Sequence, residues 1–155
     1  MGFRLVRSAG SVQDPVAVNM QASGTIYANS VVIRDGATGM VATAASTGMT
    51  TTNIVGIALD YVQGASDVET RVIPFVPGQV WEADTVNAVT TANVGIRHTL
   101  SDSLRVRNIT NLYETASTGI FYAFAITGST SGSGRILGTF LQTTPFRAGM
   151  TDNLG

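Results

Sequence analysis

The chain reads as an all-β protein, a small β-barrel or sandwich with an extended N-terminal arm and a C-terminal tail. Three observations predict this. β-Branched and aromatic residues gather in short runs, as a pleated, half-buried surface favours. Gly-rich turns separate those runs at regular intervals, the pattern of a barrel or sandwich. No stretch sustains the 3.6-residue period of an amphipathic helix. At 155 residues the chain fits one domain and can bury a core without covalent staples. The expected segments are an arm over 1–23, a β body over 24–142 and a tail over 143–155.

Each element follows in order. In the arm, Asp14-Pro15 interrupts any regular structure, because proline fixes φ and removes a donor. Phe3, Leu5 and Val6 still give the arm something to bury. Residues 25–28 and 31–34 read as strands, and Asp35-Gly36 with Gly39 marks a tight turn into 40–43. Residues 44–52 are small and polar, a loop or one helical turn. The strand at 53–59 contains Gly56, which marks a bulge or a close backbone approach. A turn at Gly64–Asp67 leads to a strand at 70–76, where Pro74 implies a sheet edge or a bulge. Pro77-Gly78 is a turn signal, and 79–83 resumes the alternation.

In the second half, 104–110 alternates and places Arg105 and Arg107 on one strand face. Residues 119–127 are apolar on both faces, which predicts a central strand. Gly128–Gly134 is a flexible hairpin loop into a strand at 135–141. An echo links Thr51-Thr-Asn-Ile-Val-Gly-Ile57 with Thr91-Ala-Asn-Val-Gly-Ile96.

Composition narrows the function. There is no cysteine, which excludes disulfides, thiolate zinc sites and cysteine nucleophiles. Charged residues make up 12%, about half the usual ~25%, and all 9 basic residues are arginine. Lysine is depleted and arginine enriched at buried interfaces, so this balance suits a surface covered by neighbouring subunits. Compositional drift in an ordinary β protein produces the same counts. A net charge of −1 lacks the basic footprint of a nucleic-acid binder. No run of ~18 apolar residues is present to span a membrane as a helix. The sequence from Met1 to Arg7 has no apolar signal core, which predicts cytoplasmic synthesis without processing.

The candidates for chemistry are few. His98 could be written into a triad with Ser101 and Asp102, but triads are defined by geometry and not by nearness in sequence. It reads as a loop histidine. Glu82 with Asp84, and Asp67 with Glu69, share strand faces, and glycosidases use carboxylate pairs ~5–9.5 Å apart. Trp81 beside Glu82 fits that idea, yet such pairs on a β edge are commonly solvated or matched to arginine, here Arg71 or Arg97. Gly128–Arg135 lacks the Lys-Ser/Thr ending of a phosphate loop. Asn108-Ile-Thr110 is a formal glycosylation sequon without a secretory signal. Arg105 and Arg107 form either a solvated strand face or a grip on phosphate or a partner's carboxylates. The inventory predicts no enzyme, no cofactor and no metal.

Three stretches of the first half, 24–36, 53–58 and 72–83, resemble small virion proteins of tailed bacteriophages, the capsid decoration, cement or head-stabilising proteins. The second half is similar in its Thr-Ala-Asn-Val-Gly stretch, its Gly/Ser hairpin and its closing Arg-Ile-Leu-Gly-Thr-Phe strand. The resemblance covers residues 24–142 and supplies no catalytic residues. It implies a small β-barrel or β-tulip-like sandwich on the outer surface of a virion capsid, bridging neighbouring major capsid subunits. It also implies a homodimer or homotrimer, since such proteins commonly gather at capsid symmetry axes. Phe3, Arg4, Arg7, Arg105, Arg107, Phe146 and Arg147 are the expected capsid or subunit contacts. Two alternatives stand beside it. One is another virion component: a tail, fibre or connector protein. The other is a carbohydrate-binding β module using Trp81, Tyr61 or Tyr113 as stacking platforms.

Overall fold

In the computed structural model, which describes residues 2–7, 17–36, 38–44, 49–63, 68–107, 119–128 and 133–141, the strands close into two five-stranded barrels. The first contains β2 (Val18–Ala22), β3 (Val31–Arg34), β4 (Val41–Thr43), β5 (Ile54–Ala58) and β6 (Val68–Pro74). The second contains β7 (Val80–Thr85), β8 (Arg97–Asp102), β9 (Arg105–Arg107), β10 (Phe121–Ile126) and β11 (Arg135–Phe140). An additional strand, β1 (Phe3–Arg7), pairs antiparallel with β7. A short 3-10 turn over Thr91–Asn93 joins β7 to β8.

The two barrels share one topology. Around the first ring the order is β2-β4-β3-β5-β6, and around the second it is β7-β9-β8-β10-β11. Each ring has a single parallel contact, β2 with β4 and β7 with β9, at the matching place. Matching backbone hydrogen bonds follow: the Leu59 N–H donates to the Arg71 carbonyl at 2.8 Å, and the Thr127 N–H to the Arg135 carbonyl at 3.0 Å. With that alignment in hand, the repeat becomes visible in sequence. Arg71-Val-Ile-Pro-Phe75 matches Arg135-Ile-Leu-Gly-Thr-Phe140, and Ala45-Ser-Thr-Gly48 matches Ala116-Ser-Thr-Gly119. The echo between 51–57 and 91–96 is not this repeat. Residues 54–57 lie in β5, the fourth strand of its barrel, whereas 91–96 precede β8, the second strand of the other.

The sequence boundaries shift accordingly. The segment expected as an arm over 1–23 supplies β1 and the whole of β2, so it holds two strands. The body expected over 24–142 is two barrels rather than one, and it starts inside the first. β8 was not expected: His98 was read as a loop histidine, and Arg97-His-Thr-Leu-Ser-Asp holds a single aliphatic side chain, Leu100, to signal a strand. The strand expected at 25–28 contracts to a single bridge between Ile26 and Val62. The tail after 141 lies outside the described residues.

Burial explains why these runs fold as they do. β5 is buried along its whole length because both of its faces are covered. Val55 and Ala58 join Ala22, Ile26, Val32, Val41, Val62 and Val72 in the aliphatic interior of the first barrel. Ile54 and Ile57 face the other way, into a larger cluster with Phe75, Trp81, Leu100, Phe121 and Phe140. That cluster fills the second barrel and runs on across the seam between the two. Phe75 and Phe140, the matching aromatic residues that follow or close each repeat's last strand, stack with ring centroids 3.9 Å apart.

One rung in each barrel needs a glycine. Gly56 opposes Pro74 in the first, and Ala123 opposes Gly138 in the second, at matching positions. A Cβ on Gly56 would lie 2.2 Å from the Ile73 carbonyl oxygen, and one on Gly138 would lie 2.3 Å from that of Tyr122. Both obstacles are backbone and cannot turn aside. Gly56 thus confirms the close approach read from sequence, and a register shift beside it between Val32 and Ile33 confirms the bulge. Gly138→Ala is expected to destabilise the protein by about 3 kcal/mol, the upper range for overpacking a core. Urea denaturation checks this, and a loss below about 0.5 kcal/mol, the scale of an inert surface change, would contradict it.

Candidate functional site

The carboxylates of β7 are structural anchors. Arg4 Nη2 donates to Glu82 Oε1 at 2.8 Å, and Arg135 Nη1 lies 3.8 Å from the same oxygen. Arg135 Nε lies 3.3 Å from Asp84 Oδ1, while the Gly2 amide donates to Asp84 Oδ2 at 2.9 Å. The network links β1, β7 and β11, so it fastens the N-terminal strand to the second barrel. The pairing with arginine read from the alternation is therefore present, with Arg4 and Arg135 in place of the expected Arg71 and Arg97. Arg71 instead makes a two-pronged contact with Asp60 at 2.8 and 2.7 Å. That hydrogen-bonded guanidinium holds the Asp60 carboxyl below its ordinary range.

Beside the network, a cleft of about 430 Å³ opens at the seam. Phe3, Leu5 and Trp81 form one wall, with Ile57, Leu59 and Ile73 of the first barrel opposite. The volume falls within the range of small-molecule sites. Among the described residues, its one acidic lining residue, Asp84, is already engaged by Arg135 and Gly2.

His98 is a strand residue rather than a loop residue and is 1% exposed. Its Nε2 donates to the Asn93 carbonyl, 2.8 Å away, since a carbonyl can only accept. Asp102 accepts from the Leu104 amide and from Arg105. Among the described residues, no three His, Asp or Glu side chains gather as metal ligands. No helix among them is long and apolar enough to cross a membrane.

The expected contact residues divide. Phe3 is 2% exposed and packs on Phe121 and Phe140, so it is core and not a free contact. Its apolar character was legible, but its burial depends on a partner strand nearly eighty residues away. Arg4 is outward but paired with Glu82. Arg7 lies at the end of β1 opposite Val80. Arg105 and Arg107 share the outer face of β9; Arg105 is paired with Asp102, and Arg107 is exposed. Phe146 and Arg147 lie outside the described residues, as does Tyr113. Trp81, expected as a stacking platform, is 1% exposed and locked edge-on against Phe75, which removes it as a sugar-binding surface.

The outside also presents apolar side chains. Tyr27 and Tyr61 are half exposed with centroids 5.8 Å apart. Val6, Val68, Val76, Tyr122 and Phe124 are exposed elsewhere. Tyr27 and Tyr61 flank the Ile26–Val62 bridge, whose side chains point inward, so the alternation turns both tyrosines out. Neither a family model, nor a curated protein, nor a solved structure matches the chain.

Proposed function

We propose that this chain is a structural virion protein that binds the outside of a tailed-phage capsid and cements neighbouring major capsid subunits. The observation that carries this reading is the surface of the two barrels, where aromatic and aliphatic side chains stand exposed while most of the visible carboxylates are neutralised within the chain. A surface of that kind is suited to cover by a partner. Interfaces between proteins favour arginine and aromatic residues and disfavour lysine, as this composition does. Two linked barrels also give each copy two places to engage, and many copies on one shell turn modest contacts into strong avidity. The reading adds a homodimer or homotrimer as the bound form and the outer capsid surface as the location. It invokes no cofactor and no nucleic acid.

Copy number tests it. Quantitative mass spectrometry of purified virions encoding this chain is expected to find it at a level comparable to the major capsid protein. A dozen copies or fewer would place it in a tail, fibre or connector instead, and absence from the particle would overturn the reading.

A second reading rests on Tyr27 and Tyr61 alone, as a solvent-facing aromatic pair on which a sugar ring can stack. Binding on a glycan array that is lost with Tyr61→Ala would support it. The pair also has a purely structural role, since contacts of this kind contribute about 0.5–1.5 kcal/mol and here would brace the Ile26–Val62 bridge.

A further inference from the structure

Among the described strands, β1 alone pairs with a single neighbour, β7; every other strand belongs to a closed ring. The Phe3 N–H donates to the Asn29 carbonyl at 3.1 Å, so it points away from β7. In an antiparallel pair, residues two apart turn their N–H and C=O groups to the same side. Leu5 thus also directs its N–H and C=O away from β7, and neither has a backbone partner among the described residues. Leu5 and Asn29 both line the seam cleft of about 430 Å³, so the free edge of β1 forms one side of it. Asn29, held at a φ of 61°, supplies the first rung of a ladder that stops there.

From this edge we infer that the cleft is an acceptor site for an extended peptide segment of a partner protein, added beside β1 and carrying a carboxylate toward Arg4 and Arg135. Main-chain pairing to Leu5 continues the rung that Asn29 begins, the mode in which a strand is added to a sheet edge. Alternate side chains of such a segment share one face, and the cleft meets them with Ile57, Ile73 and Trp81. The recess selects the occupant. The wall of the first barrel stands across from the edge, so a second folded sheet would collide with it, whereas a single extended chain would not. Charge sets the polarity. The Arg4 and Arg135 side chains line the cleft and are 71% and 58% exposed. Glu82 and Asp84 engage them at 2.8 and 3.3 Å, which leaves most of the five N–H groups on each guanidinium for a further carboxylate.

The probe is a synthetic pentapeptide of alternating valine and threonine, acetylated at its N-terminus and ending in a free carboxylate. Trp81, the one tryptophan of the chain, lines the cleft, so its fluorescence reads occupancy, and the Leu5 amide resonance reads pairing. Saturable binding is expected to shift both signals and to slow hydrogen exchange at Leu5. Peptides N-methylated at their valines or at their threonines block opposite edges. One of the two should bind about tenfold more weakly, the scale of one hydrogen bond left unmade. A C-terminal amide should weaken binding about threefold, as for an exposed ion pair. Leu59→Glu, on the opposite wall, should abolish the response with an unchanged far-UV circular dichroism spectrum; the methylated peptides decide the matter even if that variant does not fold. No saturation by about 1 mM, the weak end of binding, or an affinity untouched by either methylation, overturns the inference. So does a Leu5 amide already protected in the free chain, since a segment of the same chain then fills the cleft. An amide that binds as well as the acid overturns the carboxylate contact. The inference stands apart from the capsid reading: a chain that binds the peptide but is absent from virions keeps the first and loses the second, and a decorating chain that binds no peptide does the reverse.

Discussion

A chain lacking residues 1–20 is expected to lose its cooperative unfolding transition and much of its β circular dichroism. The deletion removes β1 entirely and Val18 to Met20 of β2. Phe3 would take with it a ring packed 5.2 Å from Phe140 and 6.2 Å from Phe121. Loss of one buried phenylalanine side chain alone costs about 3–5 kcal/mol. The ladder from Phe3 to Arg7 on β7 would go, as would most of the ladder between Val18 and Ala22 on β6. Each lost backbone hydrogen bond removes about 1 kcal/mol, more where a buried partner is left unsatisfied. Opening the first barrel also exposes its aliphatic interior. Together these losses rival the roughly 5–15 kcal/mol that holds a typical domain folded. Urea unfolding followed by circular dichroism is the check, and a sharp, wild-type-like transition would show that the N-terminal segment is dispensable to the fold. The proposed capsid binding is accordingly probed by surface substitutions such as Arg107→Glu, which leave the barrels closed, and not by truncation.

Phe140→Ala is expected to cost about 3–5 kcal/mol, the range for removing a buried aromatic side chain. Four rings surround Phe140: Phe75 stacked at 3.9 Å, Phe121 at 5.1 Å, Phe3 at 5.2 Å and Trp81 at 6.1 Å. Such pairs contribute about 0.5–1.5 kcal/mol each beyond the area that they bury. The four rings come from β1, β7 and β10 and from Phe75 just beyond β6, while Phe140 itself closes β11, so the side chain ties both barrels to the N-terminal strand. In the wild type, Trp81 fluorescence and far-UV circular dichroism should report one coincident transition. In Phe140→Ala the midpoint should fall and the two signals should separate as the barrels uncouple. A change under about 1 kcal/mol, ordinary for a point substitution, would mean that the seam is held by something other than this cluster.

Much of the fold was legible because the physics of a strand is local. Ile54–Ala58, Val31–Arg34 and Arg135–Phe140 carry enough β-branched and apolar residues to declare themselves, and Asp35-Gly36 declares its turn. Asp102 plays the matching part in the second repeat by accepting from the Leu104 amide at 2.8 Å, but Asp-Ser-Leu lacks the glycine that made the first turn visible. β1 and β2 were hidden for a different reason. Arg4, Arg7, Asn19 and Gln21 make them look solvated, and only the strands across from them, β7 and β6, give their apolar alternates somewhere to go. The candidate contacts were legible as residue types and not as positions. Phe3 and Phe124 are both phenylalanines flanked by strand residues; one is sealed in the core and the other stands in solvent.

By itself, then, the sequence established an all-β chain, its main turns and the absence of thiol chemistry, since each depends on residue identity or on neighbours within a few positions. The duplication, the closure of two barrels and the inward or outward fate of Phe3, Trp81, His98 and Phe124 were decided only by tertiary structure. Alternation states that every second side chain points the same way, but it leaves open which side is the inside. That choice is made by strands distant in sequence, such as β1 on β7 or β2 on β6, whose pairing determines what each face meets.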